Sequence, residues 1–98
     1  MSAVPVDTTA DMDLQACPRV AKLFKLQWEE VQKSWVLLYP EGMVKLNGSA
    51  GEIMSRLDGN TSIQTLISTL ERQFETTGLQ ADVLDFLTIA KRQGWVKL

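Results

Sequence analysis

The sequence predicts an α+β domain, a three-stranded antiparallel sheet followed by a three-helix bundle. Three observations carry this. Up to Leu46 the apolar residues either alternate with polar ones or form short unbroken runs, as strands do. The connections between those stretches are too short for parallel crossovers. From Ala50 onward the apolar period lengthens from two to about 3.6 residues, the period of a helix. A chain of 98 residues has room for one small core and not for two.

The first predicted strand is Phe24 to Glu29, where Phe24, Leu26 and Trp28 alternate with Lys25, Gln27 and Glu29. Val31-Gln32-Lys33-Ser34 is a polar connection. Trp35-Val36-Leu37-Leu38-Tyr39 has no alternation, which suits a central strand covered on both faces. Pro40-Glu41-Gly42 supplies a turn, and Met43-Val44-Lys45-Leu46 is the third strand of a meander. Asn47-Gly48-Ser49 offers capping oxygens, with Ser49 and Glu52 at capping-box spacing. Ala50, Ile53, Met54 and Leu57 mark a first helix that Asp58-Gly59 ends. Thr61 or Ser62 caps a second helix with a stripe of Ile63, Leu66, Ile67, Leu70 and Phe74, broken by Thr76-Thr77-Gly78. The third runs from Gln80 to Gln93 with Gly94 as its cap, and Trp95-Val96-Lys97-Leu98 extends from it or packs over its end. Two short helices, a tight turn and a third helix make the order winged helix-turn-helix-like.

Residues 1–16 mix Ser, Thr, Pro, Asp and small residues without a period and are expected to be a disordered tail or linker, leaving 17–98 as the domain. The net charge of −2 divides the same way. Asp7, Asp11 and Asp13 give the tail −3, while the domain holds 10 basic and 9 acidic side chains. No apolar run is long enough for a bilayer, and the start lacks the basic and apolar regions of a secretory signal. Cys17 is the single cysteine and His is absent, which rules out an intramolecular disulfide, a Cys/His zinc site and the commonest general base. Asp58, Asp82 and Asp85 read as helix caps and solvated faces. A cytoplasmic domain without metal, membrane or catalytic residues is expected.

Two features point to a binding role. On a helical wheel Val83, Phe86, Leu87 and Ala90 span roughly 100°, enough to pack on one neighbour. Leu84 and Ile89 extend the apolar sector on opposite sides to roughly 220°, so one flank is available to line a groove. Lys91 lies beside Leu84, which would give that flank a basic rim. The third strand of a meander leaves an open edge, a row of backbone donors and acceptors that a peptide can join as a further strand. A second copy of the chain could join the same edge, giving a homodimer at high concentration. The rival reading is a winged-helix DNA-binding module. Against it stand a domain charge of only +1 and Asp82 and Asp85 at the end of the helix that would read bases.

The chain also resembles the PqqD family, the peptide chaperones of pyrroloquinoline quinone biosynthesis. The resemblance rests on Leu26-Gln27-Trp28-Glu29, on the block Leu37 to Asn47 (LLYPEGMVKLN), on Asp58-Gly59, on Asp82-Val83 with Phe86-Leu87, and on Gly94-Trp95. It covers about residues 18–96, with Leu23-Phe24-Lys25 departing from the Gly and Arg expected around the aromatic. The resemblance implies a RiPP recognition element, without a cofactor, that binds the precursor peptide PqqA as an added strand. It would present that peptide to the radical S-adenosylmethionine enzyme PqqE. Carried onto this chain, the peptide site would comprise Met43, Val44, Lys45 and Leu46 on the strand and Leu84, Leu87, Thr88 and Lys91 on the helix. Residues 1–16 lie outside the resemblance, as a linker from a fused partner would.

Overall fold

The computed structural model describes residues 12–98. Three strands form the expected meander: β2 (Lys25–Glu29), β3 (Ser34–Tyr39) and β4 (Gly42–Lys45), paired antiparallel in the order β2-β3-β4. The register sets Leu26, Leu37 and Val44 side by side and Trp28 opposite Trp35. One face of the sheet therefore carries Leu26, Trp28, Trp35, Leu37, Val44 and Leu46 towards the helices. The two tryptophans meet edge to face, with centroids 5.4 Å apart.

Helix α1 (Gly48–Met54) lies on β3. Its cap is Asn47, whose side chain accepts from the Ala50 amide at 2.8 Å, and not the expected Ser49–Glu52 box. Asn47 wins because it already has extended backbone where the last strand ends. Asp58 then turns the chain, accepting from the amides of Asn60 and Thr61 at 2.8 Å each. Helix α2 (Ile63–Gln73) is capped by Ser62 through the Thr65 amide. Helix α3 (Gln80–Arg92) ends in a Schellman turn. Gly94, at φ +81°, donates to Lys91, and Trp95 donates back to Ala90.

That turn decides the fate of the last residues. It sends Val96–Lys97 across the molecule as β5, paired antiparallel with β1 (Arg19–Val20) in a separate two-stranded sheet. Neither strand was expected, because two-residue strands carry no period. The tail expectation also changes at its inner end. Residues 1–11 lie outside the described residues, but Met12, Leu14 and Ala16 pack on the helical core. The Leu14 and Ala16 carbonyls accept from the Gln64 and Ile63 amides at 2.9 and 3.0 Å. Those are first-turn amides of α2, which have no partner within their own helix.

The interior has two clusters. Ile53, Ile63, Leu66, Ile67, Leu70, Val83, Leu84 and Leu87 pack between the helices. Leu37, Leu46, Ala50, Met54, Ala90 and Val96 pack between sheet and helices, and Leu57 and Phe86 touch both clusters. The α+β class, the three antiparallel strands and the three helices are as the sequence predicts.

Candidate peptide-binding cleft

The edge of β4 is built by its own ladder. The Leu46 amide donates to the Trp35 carbonyl at 3.0 Å, so Leu46 faces β3 with its backbone groups. In an antiparallel pair successive residues alternate in this respect. Val44 therefore also spends its backbone on β3, and the N–H and C=O of Met43 and Lys45 point outward. Among the described residues no strand pairs with this side of β4. Met43 is 56% exposed, while Leu46 is buried in the core.

Beside that edge lies a cleft of 410 Å³. Its strand wall is Lys45, Leu46 and Asn47, its floor Ala50 and Ile53 of α1, and its far wall Asp82, Phe86 and Ile89 of α3. Trp95 closes one end, its ring centroid 6.5 Å from that of Phe86. The Schellman turn is what holds Trp95 there. The cleft is thus mostly apolar, open at a strand edge, with the Asp82 carboxylate on its rim.

The helix side differs from the one expected. Leu84 and Leu87 pack in the helical core, 7% and 0% exposed, and neither is among the residues that line the cleft. The Thr88 hydroxyl donates to the Leu84 carbonyl at 2.8 Å. Thr88 and Lys91 border a different cleft with Met12, Ala16, Arg92 and Leu98. The wheel placed Leu84 and Ile89 on opposite flanks, and α3 turns the Ile89 flank to β4. Ile89 stays 48% exposed. Asp82, Phe86 and Ile89, which line this cleft, were not among the residues expected there, although the over-wide apolar sector was the signal for Ile89.

Among the described residues two carboxylates, both away from the cleft, are held below their ordinary range. Asp58 is held down chiefly by the Asn60 amide, against some desolvation, with help from Thr61. Glu30 is held down by Lys33 and by the Trp28 indole N–H, at the β2–β3 turn. No group of three or more metal-ligating side chains occurs among the described residues. Nor is any helix there long and apolar enough to cross a membrane.

The model of the family Coenzyme PQQ synthesis protein D (PqqD) matches residues 34–96, which is most of the chain and all of the cleft. The chain belongs to the PqqD family. Relatives in it include the PqqA binding protein of Azotobacter vinelandii, 42% identical over 91% of this chain and 98% of its own. The PqqA binding protein of Pseudomonas aeruginosa is 43% identical over 87% of this chain and 94% of its own. The fold matches the solution structure of the PqqD truncation of Methylobacterium extorquens PqqCD, a functional and stand-alone RiPP recognition element. That match has a TM-score of 0.70 at 23% identity and covers 83% of this chain and 88% of the other.

Proposed function

We propose that this chain is a peptide chaperone that captures PqqA as an added strand on β4 and presents it to PqqE. The observation that carries the reading is the open edge at Met43 and Lys45 standing directly beside an apolar cleft. The relatives' shared name, PqqA binding protein, supplies the peptide. A disordered peptide loses conformational entropy on becoming a strand, so backbone bonds need apolar contact beside them. Phe86, Ile89 and Trp95 offer that contact. Catalysis then belongs to the partner enzyme. The chaperone's contribution is effective concentration, since a tethered peptide meets the enzyme as a local rather than a dilute encounter. The winged-helix-like order of the helices is, in this reading, a frame for the cleft.

Strand addition has a clean test. Proline is tolerated on a strand edge where its missing N–H would face solvent. Lys45→Pro removes an outward donor, and titration with PqqA peptide is expected to show about tenfold weaker binding in a folded variant. Unchanged affinity would remove β4 from the site. Val44→Pro is a poorer probe, because the Val44 amide faces β3 and its loss unpicks the sheet. Duplex DNA at moderate salt is the control and is expected not to bind.

A further inference from the structure

A second cleft, of 430 Å³, opens where α1 meets the loop between α2 and α3. Its walls are largely apolar: Ile53, Leu70, Phe74, Leu79 and Val83. It meets the cleft beside β4 at three residues that line both, Ser49, Ile53 and Asp82. We propose that this second cleft is an anchor subsite of the same peptide site. It takes a bulky apolar side chain beyond the segment paired with β4, with a basic residue of the peptide at the junction facing Asp82. This inference rests on the strand-addition reading.

Three observations lead to it. Within β4 the outward backbone groups belong to Met43 and Lys45, and backbone pairing distinguishes peptides poorly without side-chain pockets. A neighbouring apolar cleft that continues the same groove supplies such a pocket. Its volume is ample for a bulky side chain together with its neighbours in the peptide, and Phe74 among its lining residues is 49% exposed, leaving apolar surface for a ligand to cover. The loop wall is also fixed beforehand. Glu75 (φ +53°) and Gly78 (φ +77°) have left-handed backbone in this loop, and the Leu79 amide donates to the Glu71 carboxylate at 3.0 Å, tying the loop back to α2. The Asp82 carboxylate between the clefts selects a cationic group at that point of the peptide.

The test uses full-length PqqA peptide and peptides shortened stepwise from either end, with affinity read by fluorescence anisotropy. Phe74→Ser is expected to weaken the full-length peptide about tenfold. Asp82→Asn weakens it several-fold and makes the salt dependence shallower. Thr76→Trp fills the cleft from an exposed position without removing a wall, so it gives the same loss and decides the matter if Phe74→Ser fails to fold. Peptides shortened past the anchor bind wild type and Phe74→Ser equally, yet still lose affinity with Lys45→Pro. Wild-type affinity of Thr76→Trp and Phe74→Ser for every peptide, with Lys45→Pro impaired, overturns the anchor and leaves strand addition standing. Full affinity of Lys45→Pro overturns strand addition and with it a site shared between edge and anchor.

Discussion

Where α1 crosses the sheet, Gly51 lets the helix backbone approach Trp35 closely. A Cβ at Gly51 would sit 2.7 Å from Trp35 Cδ1, too near to keep both in place. Trp35 is held in turn by its edge-to-face contact with Trp28, so it has little freedom to give way. Gly51→Val is therefore expected to cost about 1–3 kcal/mol through overpacking, measured by urea unfolding. The other single residue with a defined consequence is Asp58, whose carboxyl is held below its ordinary value of 3.8 chiefly by the Asn60 amide. A lowered folded value means stabilisation that is present above the unfolded value and is lost as pH falls through the folded one. The stability gap between wild type and Asp58→Asn should thus narrow as pH drops below 3.8, as thermal melts across that window would show.

Among the elements, the two helix ends that matter most use the same turn with different residues. After α3 the left-handed position is Gly94, which suits it. After α2 it is Glu75, with its amide on Arg72 and the Thr76 amide on Glu71. A side chain in left-handed backbone costs about 1–2 kcal/mol that glycine does not incur, partly offset by glycine's freer unfolded state. Glu75→Gly should stabilise the domain by about 0.5–1 kcal/mol in urea unfolding. Both turns were marked by Gly or Thr-Thr-Gly in the sequence, but the Schellman geometry at Glu75 was not legible, because it is the packing of α2 that fixes where the helix stops. The cap of α1 shows the same limit. Asn47, Gly48 and Ser49 all looked able to begin it, and the end of β4 decided for Asn47.

For the molecule as a whole, the chain ends matter more than their composition suggested. Pro18 and Val96 are among the most buried side chains. The Ala21 amide reaches the Trp95 carbonyl at 2.8 Å, and Gly59 donates to Pro18 at 3.0 Å. The segment 18–21 and the C-terminal residues 95–97 therefore brace each other and the α1–α2 turn. Removing residues 1–16, which composition alone marks as expendable, should destabilise the domain by about 2–4 kcal/mol, read by thermal unfolding. That follows from the lost α2 caps at Leu14 and Ala16 and the lost packing of Met12 and Leu14.

What the sequence determined by itself was local and periodic. Alternation at 24–29, the unbroken run at 35–39 and the stripes at 63–70 and 83–90 determine which elements form and, up to the flanks of α3, which residues they bury; Phe74, at the end of the α2 stripe, stays 49% exposed. The LLYPEGMVKLN block is the most specific part of the resemblance to the family. The lone cysteine and absent histidine determined that no Cys/His metal site exists. The tertiary structure alone decided which flank of α3 faces β4. A helical wheel places Leu84 and Ile89 on opposite sides of one axis but holds no information about where the sheet lies around that axis. The packing of Val83, Leu87 and Ala90 into two cores fixes that rotation. It buries Leu84 and turns Asp82, Phe86 and Ile89 to the open strand.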